Sequence, residues 1–219
     1  MTRRKKGDIL KLNKTILIGV LFMKEYYKLL KEIERERIII YDCETTGLNS
    51  DTDEIVQLTI ADGNGNILFN ELIKPSYKKK WDSAERIHHI SPDMVKDKKT
   101  FRHYKDQIKE IFDNAELIVA YNNSFDNGFI YECSKHDIDP YDKQNFDVMI
   151  EFAKIYGDWN EYHQSYKWQK LITCARYYDY EIENAHDSLY DVKATLHCFY
   201  KVLDDILAGK QDQYPCECL

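Results

Sequence analysis

An α/β domain built on a mixed five-stranded sheet flanked by helices is predicted by three features of this sequence. Residues 37–75 hold three apolar, β-branched runs in succession, strand and helix patterns alternate beyond residue 100, and the chain closes on a long apolar stripe at helical spacing. Successive strands joined by a tight turn make an antiparallel meander, whereas strand–helix–strand units add parallel neighbours, so the sheet is mixed.

The elements follow in order. RIIIYD (37–42) is short and almost wholly apolar, the mark of a strand buried on both faces. DEIVQLTIAD (53–62) and ILFNELIKP (67–75) flank the turn signal Gly63-Asn64-Gly65-Asn66 and complete the meander. A loop carrying Tyr77 to Trp81 and the segment IHHISPDMV (87–95) lead to an amphipathic helix from Phe101 to Asn114. ELIVAYN (116–122) is the fourth strand, NGFIYECSKH (127–136) a helix, and NFDVM (145–149) a short fifth strand before a helix reaching Tyr156. From about Asp187 to Leu207, Leu189, Val192, Leu196, Phe199, Val202, Leu203 and Ile206 share one stripe, which places a long helix against the sheet.

Residues 1–36 read as a basic, helical extension, residues 37–207 as the domain and residues 208–219 as a tail. The apolar run from Thr15 to Met23 imitates a secretory leader, yet it is far too short to span a bilayer and no small-x-small cleavage site follows. No membrane association is expected. Tyr26, Leu29, Leu30 and Ile33 then mark the packing face of an appended helix.

Composition limits the functional classes. With 219 residues, 43% hydrophobic, 8 Gly and 4 Pro, the chain can bury a core, and collagen, low-complexity disorder and a disulfide miniprotein are excluded. Residues 1–36 carry 10 basic and 5 acidic side chains and the remainder 21 and 33, a balance unsuited to coating nucleic acid by bulk charge. An acidic surplus still suits a nuclease whose carboxylates hold cations. The six cysteines form no Cys-x-x-Cys pair and read as reduced thiols of a cytoplasmic protein, with Cys216-x-Cys218 either inert or open to a soft metal.

The chemistry gathers at strand ends, where open α/β sheets place their sites. Asp42 and Glu44 are two apart on an extended chain and so point to the same side. Their mutual repulsion, about 1–4 kcal/mol, calls for compensation, which a divalent cation with oxygen ligands supplies well. Asp126 stands just past the fourth strand, in Asn122-Asn123-Ser124-Phe125-Asp126-Asn127, as a helix cap or as another member of the site. His186 and Asp191 would lie about 140° apart on a continuous helix, so both face one site only if His186 sits in the loop before it, with Asp187 or Ser188 as the cap.

Taken together, Asp42-Cys43-Glu44-Thr45-Thr46-Gly47-Leu48, IHHISPDMV, Tyr121-Asn122-Asn123-Ser124-Phe125-Asp126 and His186-x4-Asp191 resemble the DEDDh class of 3′–5′ exonucleases, in its DnaQ-like, proofreading branch. The resemblance runs from about Ile38 to Leu203. Tyr121 stands where His is common in that group, and His89 where Gly is common.

The resemblance implies an RNase H-like fold and a two-metal mechanism with Mg²⁺ or Mn²⁺. Asp42, Glu44 and Asp191 are then metal ligands, with Asp42 bridging both ions, and Asp126 a ligand through water. His186 is implied as the general base that deprotonates the attacking water, which a neutral imidazole can do at pH 7 and above. Two ions about 3.5–4 Å apart stabilise both the attacking and the leaving oxygen, and the product is a nucleoside 5′-monophosphate. Thr45, Thr46 and Leu48 are implied to hold the terminal 3′-hydroxyl and wedge against the last base, and Asn122 to border the substrate. Phe125 stacks on the substrate or packs in the core; His88 borders the channel or lies at the surface.

The expected substrate is a single-stranded or frayed 3′ end. DNA is favoured over RNA by the Thr-Thr-Gly-Leu form of the first motif, RNase T-like and oligoribonuclease-like activity on RNA is the alternative, and a noncatalytic polymerase-accessory module of the same fold is a third reading. A DNA polymerase is a possible partner by resemblance alone. Lys78, Lys79 and Lys80 beside Tyr77 and Trp81 form either a contact for a single strand or a solvated loop, extended by Lys96, Lys98, Lys99 and Arg102 if the segments adjoin.

Overall fold

The computed structural model of the protein describes residues 24–213. The apolar run of residues 15–23, the basic residues before it and Cys216-x-Cys218 lie outside the described residues. A helix over residues 24–32 (α1) is followed by the strands Ile38–Thr45 (β1), Ile55–Asp62 (β2) and Ile67–Leu72 (β3). Helices Asp82–His88 (α2), Pro92–Val95 (α3) and Phe101–Asn114 (α4) precede strand Leu117–Ala120 (β4), and helix Asn123–Cys133 (α5) precedes strand Gln144–Asp147 (β5). Helix Val148–Tyr156 (α6), a hairpin of Trp159–Asn160 (β6) and Ser165–Tyr166 (β7), and helices Leu171–Tyr177 (α7) and Ser188–Leu207 (α8) complete it.

The five strands lie in the order β3-β2-β1-β4-β5, antiparallel within the meander and parallel across β1–β4–β5. This is the mixed five-stranded sheet that the sequence pattern predicts, in the RNase H-like arrangement that the resemblance implies. Strand β1 is central, with two strands on either side of it, and its alternation splits the core in two. Ile38 and Ile40 pack with Phe146, Val192, Phe199, Val202 and Leu203 on the face covered by α6, α7 and α8. Ile39, Tyr41 and Cys43 face Ile108, Phe112, Phe129 and Ile130 on the side of α4 and α5. Each of these fully buried aliphatic side chains contributes about 1.5–3 kcal/mol of burial free energy.

Pairing of β1 with β4 ends at Ile40 opposite Val119, while β1 continues against β2 to Thr45. Beyond that point β1 is no longer paired with β4, and a crevice opens where the sheet changes from antiparallel to parallel, the usual place for a site in such folds.

Several boundaries differ from the sequence expectation for identifiable reasons. Helix α5 begins at Asn123 rather than at residue 127, because Asp147, from another element, accepts the N–H groups of Asn122 (3.3 Å) and Asn123 (2.9 Å). The same carboxylate caps α6 through the N–H groups of Met149 and Ile150, so Val148 and Met149 belong to that helix and not to β5. On α1 the buried residues are Tyr27 and Leu30; Tyr27 hydrogen-bonds Glu151 at 3.0 Å, and Leu29, expected on the packing face, is 56% exposed. Among the described residues no helix is long and apolar enough to cross a membrane, and Cys43, Cys133, Cys174 and Cys198 are free thiols.

Candidate active site

The face that carries Ile38 and Ile40 also carries Asp42 and Glu44, since all four share the even register of β1. Helix α8 crosses this face, and its first turn brings in Asp191. One carboxylate oxygen from each of Asp42, Glu44 and Asp191 lies within 4.8 Å of the others. The bulge between Glu44 and Thr45 ends the regular pairing here and turns the following loop away from the strand.

A network across β2 holds the start of α8 in place. Asp187 caps the helix by accepting the Leu189 N–H at 3.1 Å, and the Gln57 amide nitrogen donates to the same carboxylate at 3.2 Å. The Gln57 carbonyl accepts the Ser188 N–H at 3.3 Å, and the Ser188 hydroxyl meets that of Thr59 at 2.7 Å in a fully buried contact. Sequence reasoning reached Asp187 as a cap but missed Gln57, which stands opposite Glu44 in the ladder. His186 sits in the loop ahead of α8, as expected, in a left-handed backbone conformation (φ 66°), and its N–H donates to the Asp191 carboxylate at 3.1 Å.

Asp126 occupies the first turn of α5, almost fully buried, and one of its oxygens accepts both the Cys43 N–H and the Cys43 thiol, each at 3.1 Å. It borders the same cleft but stands outside the trio. Burial is the largest cause of raised pKa values throughout this group. It pushes Glu44 up to about 8, with Asp191 and Asp126 adding to it, Asp126 up to about 7, and Asp191 up to about 6, while Asp42 is also pushed well up, with the Asp126, Glu44 and Asp191 charges adding to its burial. Among the described residues no lysine or arginine forms an ion pair with Asp42, Glu44, Asp126 or Asp191. Oxygen donors converging without a cationic side chain are the donor set that a hard divalent cation fits.

The cleft has two compartments that share Cys43, Glu44 and Phe125. One, of about 660 Å³, holds Asp42, Asp126, His186 and Asp191 against Tyr121, Asn122 and Trp168. The other, of about 480 Å³, is bounded by Thr45, Thr46, Leu48, Lys80, Ile87 and His88. The Thr45 hydroxyl bonds the Gly47 carbonyl at 2.6 Å and the Thr46 hydroxyl bonds Asp53 at 3.1 Å, so both shape the loop, while Leu48 projects from it, 87% exposed. A Cβ at Gly47 would collide with the Asp53 carboxylate, which explains a glycine there. Phe125 packs on Phe129 with ring centroids 4.9 Å apart and still faces both compartments. His88 is buried: Nδ1 accepts the Ile90 N–H at 3.0 Å, which leaves Nε2 to donate to the Thr45 carbonyl at 3.1 Å.

The basic and aromatic loop after β3 divides. Trp81 is 5% exposed and donates to the Ile90 carbonyl at 2.7 Å, and Lys78 is paired with Asp53 at 2.7 Å, so neither is free to meet a strand. Lys79 and Lys80 are exposed, and Lys80 faces the second compartment. Arg102 meets this loop beside Tyr77, in a cavity that includes none of Asp42, Glu44, Asp126 and Asp191.

A model of the exonuclease family of RNase T matches residues 39–199. PolC-type DNA polymerase III of Pediococcus pentosaceus is 25% identical over 173 residues, 77% of this chain and 11% of the polymerase, and that of Bacillus subtilis is 25% identical over 189 residues, 83% and 12%. The chain thus spans only about a tenth of the length of these relatives. Among solved structures, E. coli Exonuclease I in complex with a dA16 oligonucleotide aligns with a TM-score of 0.63 at 22% identity, covering 80% of this chain and 42% of that one. Exonuclease X in complex with 5′ overhanging duplex DNA aligns with a TM-score of 0.59 at 20% identity, covering 80% and 99%. With the family model spanning most of the chain over a sheet of the matching fold, the protein belongs to the RNase T exonuclease family, in its DEDDh, DnaQ-like class.

Proposed function

We propose that this exonuclease acts on single-stranded or frayed DNA 3′ ends and releases nucleoside 5′-monophosphates with the help of two divalent cations, Mg²⁺ or Mn²⁺. The observation that carries this reading is the trio of Asp42, Glu44 and Asp191 oxygens within 4.8 Å of one another. In this reading Asp42, Glu44 and Asp191 would hold the ions, with Asp126 beside them in the same compartment. Bound ions supply charge neutralisation at the scissile phosphate and at the entering and leaving oxygens.

The other residues take the remaining tasks. His186 accepts the proton of the attacking water. Its exposed position ahead of α8 lets the imidazole approach the cleft, while its backbone bond to Asp191 keeps it beside the ligand set. The compartment of Thr45, Thr46, Leu48, His88 and Phe125 receives the terminal nucleoside, with Leu48 as the projecting wedge, and Asn122 borders the strand on the other side. The PolC-type relatives are DNA polymerases, which supports DNA over RNA and a polymerase as working partner.

End-labelled DNA and RNA strands, free or blocked at the 3′ end, incubated with Mg²⁺, Mn²⁺ or EDTA, test the reading. Stepwise loss from free DNA ends that EDTA abolishes is expected. Faster loss of RNA would assign the enzyme to RNA, and activity undiminished in Asp42→Ala would remove the metal site.

A further inference from the structure

Between α6 and α7 the chain makes an excursion over residues 158–170 that the carboxylate site does not need for its own geometry. It comprises the β6–β7 hairpin and a strap leading into α7. Trp159 and Tyr166 brace the hairpin edge to face, with ring centroids 5.0 Å apart. Beyond it Trp168 is 71% exposed and faces the compartment that holds Asp42, Glu44, His186 and Asp191.

The strap is held at several points. The Lys167 N–H donates to the Asp158 carbonyl at 2.8 Å, the Gln169 side chain donates to the Lys167 carbonyl at 3.0 Å, and the Tyr121 hydroxyl donates to the Gln169 carbonyl at 2.7 Å. Tyr121 directly follows β4, so the last of these ties the strap to the sheet beside the site. A tryptophan is among the most favourable side chains to bury, and leaving most of its indole in water on a fixed backbone forgoes that gain. Its exposed face is a platform aimed at whatever enters the cleft.

The chemistry of the surroundings selects the occupant. Exposed Lys170 lines the same compartment, whereas the Lys167 ammonium is taken by Asp158 at 2.9 Å. A flat apolar ring system joined to phosphates meets both the indole and Lys170, while its phosphates lie toward the site that the carboxylates reserve for cations. We infer that Trp168 is a substrate-binding residue that stacks on a nucleobase on the 5′ side of the scissile phosphate. This rests on the reading that the terminal nucleoside occupies the other compartment, since the two flank Glu44. A base offers its face to the indole only when it is unstacked, so Trp168 also selects single-stranded over paired ends.

Steady-state kinetics of the full chain, Trp168→Ala and Trp168→Phe test this on a set of oligodeoxynucleotides, each with one abasic residue at a successive position from the 3′ end. On the intact strand Trp168→Ala is expected to raise KM about 5- to 100-fold, the range for one stacked base, with kcat within about 3-fold, and Trp168→Phe to recover most of the loss. One abasic position should raise KM for the wild type and erase the difference between wild type and Trp168→Ala. An unchanged KM in Trp168→Ala, or a loss that persists at every abasic position, overturns the stacking role while the exonuclease reading stands. A wild type that degrades none of these strands overturns both.

Discussion

Gln57 and Asp187 are joined side chain to side chain across 130 residues of sequence, the amide of one donating to the carboxylate of the other at 3.2 Å. The bond carries the position of α8 to β2, and with it the position of Asp191 opposite Asp42 and Glu44. If Asp191 holds a cation as proposed, a group that orients it from behind influences the site nearly as strongly as the ligand itself does.

Gln57→Leu removes both bonds that Gln57 makes to the start of α8 and keeps the volume. Activity at saturating substrate is expected to fall about 10- to 100-fold, with the Mg²⁺ concentration for half activity raised. Metal titration of activity, with circular dichroism as the check on folding, reads the result; an unchanged Mg²⁺ requirement would reduce Gln57 to a packing residue.

His186→Ala leaves the carboxylates and the backbone N–H to Asp191 in place. Turnover is expected to slow by about 10²–10⁴-fold while Mn²⁺ binding, followed by calorimetry, is retained. A normal rate would take His186 out of proton transfer.

The raised carboxyl groups predict an inverted pH dependence in the metal-free protein. Glu44, at about 8, and Asp126, at about 7, hold protons in the fold that the unfolded chain has released. Their contribution to stability is therefore complete below about pH 4 and is lost as pH rises through these values. His88, which burial holds below its ordinary value, acts in the opposite sense but only below about pH 6.5, and Asp53, also lowered, acts only in acid. Between about pH 6.5 and 8.5 the melting temperature in EDTA should fall, and excess Mg²⁺ should restore it more at the upper end than at the lower. A melting temperature in EDTA that is flat or rising over this window would contradict the burial of these charges.

His89 closes α2 with φ 61°, a left-handed cap where the resembling family commonly has Gly. A side chain there costs about 1 kcal/mol, partly offset because Gly loosens the unfolded chain. His89→Gly is expected to raise the urea midpoint modestly with an unchanged slope; destabilisation would mean that the imidazole has a role of its own.

Much of this protein could be read from residue types and spacing alone. Strand β1, the turn at Gly63 to Asn66, the stripe of α8, the shared face of Asp42 and Glu44 and the loop position of His186 are short-range consequences of the periods of strand and helix. The start of α5 escaped because its cap comes from Asp147, 24 residues from Asn123. Trp81 looked like a surface ring and is core; Trp168, in an equally aromatic and basic stretch from Trp159 to Lys170, drew no attention and stands in the cleft. Local pattern says which residues can face the same way. What each face meets is decided by the packing of distant segments: α8 laid across β1 brings Asp191 to the pair, Gln57 holds it there, and Asp126 turns to Cys43 because α5 covers the other side of the sheet.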